Sequence, residues 1–466
     1  MTNPNAVYRI AFGAALLAAA SAGAPSEAQT RWTQREFVLG TWWDPPYDVS
    51  RRSLEADVRA FSLARAAGFN LLSGTQGQGG IDHTFEGMRH ALTVARRAGL
   101  HYLVSDNRFY EGYEKRWTAD AASSLQSDYG GLPDTLRAAL YGYDITDEPH
   151  FDRRHAENVG AWVRHFQRSD PSKLEFFNLA PVYSADARWG GFTSGDEDGI
   201  ISDAERGQYE AYVALYVDSL RPGAVCFDHY PFFRNGTMRR DYFYNLDVIR
   251  RKAAEAPFWA SPMVCDHFDY VDPAEEHIRF MYFCPIAYGA RGLMAFTYWS
   301  PPDRGYRLAM VDRNGRATPK YDIVKRLNMY VRDVIGPVAM ATRPTAIYHV
   351  STFPSDQQFV QAGIDASSAV LRSVSDHRIL VSVLEGSTAR YLLVVNKDLV
   401  AIPDVEVVLA GEIPVVYFAP RVVGFDETVS LDYRAVPTRV SRGAAPTSTV
   451  RLPQLAGGEG RLIRIR

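Results

Sequence analysis

At 466 residues the chain is too long for one small core and long enough for a barrel of about 250–300 residues with a second domain behind it. A net charge of −3, from 51 basic and 54 acidic residues, gives no electrostatic ground for nucleic acid or an anionic membrane surface as partner. The balance of 46% hydrophobic and 23% charged residues is that of a globular protein, and the 12% aromatic content suits sugar-binding clefts and large cores alike.

The amino terminus reads as an export signal over residues 1–28. Arg9 supplies the positive charge, Ile10 to Ala20 an apolar, alanine-rich stretch, and Ala22-Gly23-Ala24 a small-x-small cleavage site. That stretch is short for a bilayer and no later segment offers another, so the expectation is a secreted or periplasmic protein without a membrane span. The three cysteines, Cys226, Cys265 and Cys284, are odd in number and widely spaced, which favours buried thiols over a disulfide framework or a zinc knuckle. If Asp228 and Asp266 both face a barrel interior, strand alternation sets Cys226 inward and Cys265 outward.

From Phe37 onward, strand and helix patterns alternate. A strand closing on Trp42, Trp43 and Asp44 is followed by a helix from Leu54 to Ala67, stopped at Gly68. A strand at Phe69 to Thr75, a helix at Thr84 to Ala98 and a strand at Leu100 to Ser105 come next. A short helix at Pro133 to Ala139 feeds Leu140-Tyr141-Gly142-Tyr143-Asp144-Ile145-Thr146-Asp147-Glu148-Pro149, an apolar strand halted by proline at a pair of carboxylates. Four further strands are expected at Leu174–Tyr183, Ala224–Phe232, Pro257–Phe268 and Gly292–Trp299, each preceded by a helix, with a last helix from Pro319 to Ile335. Eight strands alternating with helices predict a (β/α)8 barrel over residues 35–340, and no glycine-rich phosphate loop supports a doubly wound sheet instead. Past Pro344 the pattern changes to short β-rich runs separated by turn residues, which predicts an antiparallel β-sandwich over residues 345–466.

Catalytic groups of such barrels sit at the carboxyl ends of the strands. There the chain gathers Trp42 and Trp43 after strand one, Asp106 and Asn107 after three, and Asp147 and Glu148 after four. Tyr183 follows five, Asp228, His229 and Tyr230 follow six, Asp266 and His267 follow seven, and Tyr298 and Trp299 follow eight. Convergent acids shift one another's pKa and divide acid from base roles, which is why several at one mouth suggest a site.

Asp147-Glu148-Pro149 after strand four resembles the acid/base motif of the large clan of (β/α)8 retaining glycoside hydrolases. Tyr298-Trp299 is similar to that clan's sugar-stacking aromatic, and a β-sandwich after the barrel is found in several of its families. The resemblance implies a secreted hydrolase of O-glycosidic bonds acting on an oligo- or polysaccharide, with Glu148 as general acid/base and no cofactor for catalysis. The clan's glutamate nucleophile at the end of strand seven is replaced by Asp266, which then becomes the partner carboxylate. A carboxyl separation of about 5–5.5 Å predicts retention and about 6.5–9.5 Å inversion, with Asp266 or Asp228 activating water in the second case. The remaining residues of the strand ends are expected to bind substrate.

A separate signal lies at Ser194 to Glu205. Oxygen ligands at Ser194, Asp196, Asp198, the Ile200 carbonyl, Ser202 and Glu205, with Gly199 at position six, fit the twelve-residue calcium loop save for serine at position one. A structural calcium would stiffen the rim of the cleft; the same residues also read as an acidic turn before a helix. Two rival functions stay open. One is a metal-dependent barrel hydrolase using Asp228-His229 and Asp266-His267 as ligands, against which the first strand lacks paired histidines. The other is a carbohydrate-binding protein without catalysis, whose affinity would survive Glu148→Gln.

Overall fold

The computed structural model describes residues 31–47, 53–74, 82–110, 116–184, 202–254, 256–301, 305–354, 364, 368–420 and 433–465. The export signal and the first four calcium-loop ligands, Ser194, Asp196, Asp198 and Ile200, lie outside them.

Eight parallel strands close into a barrel: β1 Val38–Thr41, β2 Leu71–Ser73, β3 His101–Val104, β4 Leu140–Asp147, β5 Leu174–Leu179, β6 Val225–Asp228, β7 Phe258–Ser261 and β8 Gly292–Ala295. Closure is the β1–β8 pairing, from Val38 opposite Gly292 to Thr41 opposite Ala295. The helices between strands carry the caps their sequences offer, such as Ser53 ahead of Leu54–Ala66 and Thr84 ahead of Phe85–Ala98, which Gly99 ends in the left-handed region. A helix at Ala119–Gly130, capped by Thr118, adds to the expected set.

The interior is filled, not hollow. Val38, Trp42, Leu71, Leu103, Leu174, Phe176, Cys226, Trp259 and Met294 form one buried cluster along its axis. Gly292 is needed there, since a Cβ would lie 2.6 Å from the Trp259 ring. Trp32 packs edge-on to Tyr141 and Trp259 in the same interior. A ligand is therefore confined to the strands' carboxyl ends. Cys226 faces inward, and all three cysteines are free and buried.

Strands five to eight end earlier than the apolar runs suggest. β7 stops at Ser261 because Pro262 has no N–H for the ladder, so Met263 to Phe268 belong to the loop that follows. β8 likewise stops at Ala295, leaving Phe296 at the mouth and Tyr298 and Trp299 beyond it.

After the helix Pro319–Tyr330 the chain forms β9 Thr342–His349, β10 Leu371–Val374, β11 Ile379–Gly386, β12 Arg390–Asn396, β13 Ile402–Ala410, β14 Val415–Phe418, β15 Arg434–Pro437, β16 Arg439–Ser441, β17 Thr447–Leu455 and β18 Gly460–Arg464. They make an antiparallel sandwich of a four-stranded sheet, β10-β13-β17-β16, and a six-stranded one, β15-β14-β18-β12-β11-β9. The six-stranded sheet is buried on both faces. Val381, Val383, Leu392, Val394 and Ile463 point into the sandwich, while their neighbours Leu380, Leu384, Leu393, Val395 and Leu462 join the barrel's own core. The seat is the helix Glu275–Ala287, buried from Ile278 to Ala287, against which Gly458 and Gly460 lie too close for any side chain of their own. At the same seam Lys397 is buried, giving hydrogen bonds to the Ser351 carbonyl at 2.9 Å and His349 Nδ1 at 3.2 Å, while His349 Nε2 meets the Tyr288 hydroxyl at 2.8 Å. No helix among the described residues is long and apolar enough to cross a membrane.

Candidate active site

The end of β4 is irregular in a way that builds the site. Its pairing with β5 slips between Asp144 and Thr146, after which Asp147 stands opposite Asn178 and the Glu148 N–H reaches the Asn178 carbonyl at 2.9 Å. Glu148 then turns at φ +41°, a conformation costing a non-glycine residue about 1–2 kcal/mol, held by that hydrogen bond and by buried Pro149. The turn lifts its side chain to the barrel mouth.

There Glu148 meets Asp228, the last residue of β6. The two carboxyls lie within hydrogen-bonding reach of each other, an arrangement that favours one shared proton. Glu148 keeps solvent exposure at the mouth, yet crowding by protein around its carboxyl is the largest influence raising its pKa well above the usual range. The charges of Asp228 and Asp147 and the Asp228 hydrogen bond add to the rise. Asp228 is pushed up to about 7, first by burial and then by Asp147, against hydrogen bonds that favour its ionised form. Asn178 supplies one of these: its Nδ2 donates to Asp228 Oδ1 at 2.8 Å and to Asp147 Oδ1 at 3.0 Å, tying both carboxylates to β5. Two further acids lie buried nearby. Burial raises Asp44 to about 8 while it accepts from the Tyr102 hydroxyl at 2.8 Å, and it raises Asp144, which accepts from Ser73 at 3.0 Å.

Asp266 is not part of this pair. It lies in the loop after β7, 1% exposed, with Arg307 Nε at 3.1 Å and Arg234 Nη2 at 3.5 Å, and Glu148 answers to Asp228 and Asp147 instead. The residue of β7 that stands level with Asp228 is Ser261. The acid that faces Glu148 is thus Asp228 and not the expected Asp266, because β7 ends before it reaches Asp266.

Other expected substrate contacts divide in the same way. Trp43, half-buried at φ +59°, is at the mouth, its ring 5.7 Å from Phe296 and 5.4 Å from Tyr306. Tyr183 and Tyr230 flank the acids; the Tyr183 hydroxyl accepts from the Tyr230 N–H, and Tyr230 packs 5.5 Å from Phe296. Trp42 is instead core, buried inside the barrel against Phe176 with its indole N–H on Ser261. Tyr298 is fully buried outside the barrel wall, edge-on to Phe69. Trp299 is half-buried beside Gly315, its N–H on the Trp43 carbonyl. Asp106 is buried in an ion pair with Arg108 and a hydrogen bond from Tyr129, and Asn107 is exposed after it. His229 is fixed to Asp241 at 2.8 Å, and His267, pushed down to about 4 by burial, stacks on Tyr306. Trp42, Tyr298 and Asp106 are therefore structural, since packing or ion pairing takes the surface a sugar would need. Phe296, Tyr306 and Phe268, linked through ring contacts to Trp43, and Asn178, bound to both Asp147 and Asp228, are positions that the strand-end pattern misses.

Among the described residues no group of three or more histidine, cysteine or acidic side chains is arranged to hold a metal ion. Of the calcium-loop residues, Ser202 and Glu205 form a capping box at the start of the helix Asp203–Leu220.

No family model and no curated protein matches the chain in sequence. Solved structures with a similar fold include a GH30 endoxylanase from Clostridium papyrosolvens, at 10% identity over 94% of this chain and 97% of that one, TM-score 0.43. A family 51 alpha-L-arabinofuranosidase from Bifidobacterium longum is similar at 10% identity over 94% and 96%, TM-score 0.44. An alpha-amylase from Anoxybacillus is similar at 10% identity over 92% and 97%, TM-score 0.47. At that identity the likeness says nothing about which side chains act.

Proposed function

We propose that the protein is an exported glycoside hydrolase in which Glu148 is the proton donor and Asp228 the ionised partner. The observation that carries this reading is the contact between the Glu148 and Asp228 carboxyls at the mouth of a filled barrel, where two acids so close favour sharing one proton. Breaking a glycosidic bond needs both forms at once, a neutral acid for the leaving oxygen and an anion for the anomeric carbon. Glu148 gives its proton to the leaving oxygen while Asp228 attacks the anomeric carbon. Glu148, now ionised, then takes a proton from the water that releases the sugar, and the pair returns to its starting state. Carboxyls in contact are closer than both the roughly 5–5.5 Å of retaining and the roughly 6.5–9.5 Å of inverting enzymes, and retention is favoured because it needs the smaller parting of the two. A sugar parts the two groups as it binds. Trp43 and Phe296 offer flat apolar faces beside the pair.

The test is a screen of chromogenic glycosides and polysaccharides, with the first-formed anomer read by NMR. A retained anomer, and loss of turnover in Glu148→Gln with folding intact, are expected. Unchanged turnover in Glu148→Gln, or glycan binding with no hydrolysis of any substrate, would overturn it.

A further inference from the structure

The loops after β6 and β7 form an open groove of about 630 Å³, lined by Phe233, Arg234, Thr237, Phe268, Asp269 and Tyr270 among others. The loops are zipped together: the Arg234 N–H reaches the Asp269 carbonyl at 2.8 Å, the Val271 N–H reaches Phe232 at 3.0 Å, and the Phe233 and Tyr270 rings stack 5.5 Å apart. A groove with walls held this way is pre-formed.

Its most unusual member is Phe268. The side chain is 66% exposed, and the residue holds φ +48°, so the backbone bears left-handed strain to present a large apolar ring to solvent. Core packing gives no reason for either cost. Arg234, with its side chain 51% exposed, donates to the Phe268 carbonyl at 2.9 Å, which puts a planar, many-donor group next to that ring. Thr237 and Asp269 add a hydroxyl and an acceptor. A flat apolar face edged by hydrogen-bonding groups matches the two surfaces of a pyranose, its C–H face and its ring of hydroxyls.

The groove also continues from the acids. Phe268 lies 6.0 Å from Tyr306, Tyr306 6.2 Å from Phe296, and Phe296 5.7 Å from Trp43, an aromatic strip that runs along the mouth. On its other side Tyr270 packs 5.7 Å from Tyr230, the residue that follows Asp228 and His229 at the end of β6.

We infer that the Phe268 groove is a sugar subsite remote from the scissile bond, taking a neutral pyranose, and that the substrate is therefore an oligo- or polysaccharide chain and not the glycoside of a single sugar. This rests on the hydrolase reading for its direction but has its own test. Wild type, Phe268→Ala and Phe268→Trp are compared on an aryl monoglycoside and on cello-, xylo-, malto- and chito-oligosaccharides of two to six units. In Phe268→Ala, kcat/KM for the longest accepted oligosaccharide falls at least tenfold more than for the aryl glycoside, mainly through KM, and Phe268→Trp restores it. An equal fall on both substrates, or none, overturns the subsite. Calorimetric binding of the same oligosaccharides to Glu148→Gln, with and without Phe268→Ala, separates the two readings. Affinity that depends on Phe268 without any wild-type hydrolysis keeps the subsite and sinks the hydrolase, whereas affinity indifferent to Phe268, or no binding, sinks the subsite.

Discussion

Ser261 stands directly opposite Asp228 in the β6–β7 pairing, so the strand beside the acid ends in a hydroxyl, which anchors the Trp42 indole. In the proposed mechanism the second carboxylate is therefore the one on β6. Asp228→Asn is expected to lower kcat by about 10²–10⁴-fold with the melting temperature unchanged or higher. Asp266→Asn, which only frees two exposed arginines, is expected to stay within about tenfold of wild type. Steady-state rates on one accepted substrate, beside thermal melts, decide between them, and the reverse ranking returns the role to Asp266.

The paired acids set a pH profile. Activity requires Asp228 ionised and Glu148 protonated, so kcat/KM rises as the pair loses its first proton near 7 and falls as it loses the second at higher pH. In Asp228→Asn the neighbouring charge is gone, and the Glu148 proton leaves at lower pH. Stability moves with the same groups. Both pKa values are raised on folding, so the folded chain binds more protons than the unfolded one from about pH 4 upward, and stability falls with rising pH across that window. Denaturant melts between pH 4 and 8 are expected to show this slope in wild type and a weaker one in Asp228→Asn.

Asn178 holds Asp147 and Asp228 through one amide, and its hydrogen bond lowers the Asp228 pKa. Asn178→Ala removes a donor to a charged group, an interaction of about 1.5–3 kcal/mol. The acid limb of the pH–rate profile is expected to move upward. A limb that stays in place while stability drops would make Asn178 a packing residue only.

Lys397 is 1% exposed at the seam between barrel and sandwich, and burial pushes its pKa down to about 7. His349 beside it is held neutral by burial and by the lysine's charge, and the Cys284 thiol is a second titratable neighbour. Between pH 7 and the unfolded value near 10.4 the unfolded chain binds the extra proton, so stability rises with pH across that range, by up to about 1.4 kcal/mol per pH unit for one proton. Below pH 7 the lysine is charged in both states and the penalty is constant. Lys397→Met is expected to flatten the slope between pH 7 and 9 in denaturant melts; an unchanged slope places its origin elsewhere.

The end of β4 is legible in the sequence because a proline after two carboxylates marks where a ladder must stop. The same signal at Pro262 locates the end of β7, but the apolar Met263-Val264-Cys265 beyond it reads as more strand and draws Asp266 into the barrel. At β8 nothing in Gly-Leu-Met-Ala-Phe-Thr-Tyr-Trp distinguishes the hydrogen-bonded residues from those past them, so Phe296 is hidden and Tyr298 overrated. The hydrogen bond between Glu148 and Asp228 joins strands four and six, and no local pattern reports a contact of that range. The calcium-loop pattern and the capping box share Ser202 and Glu205, so one spacing fits both readings, and the structure shows these two residues as the cap.

The six-stranded sheet shares its outer face with the barrel, and Leu380, Leu384, Leu393, Val395 and Leu462 belong to one core with it. A gene shortened to end at Ala341 would not encode a smaller working enzyme. It would strip the helix Glu275–Ala287 of its cover and send the product into inclusion bodies, so the two halves can be inherited, expressed and engineered only as a single piece.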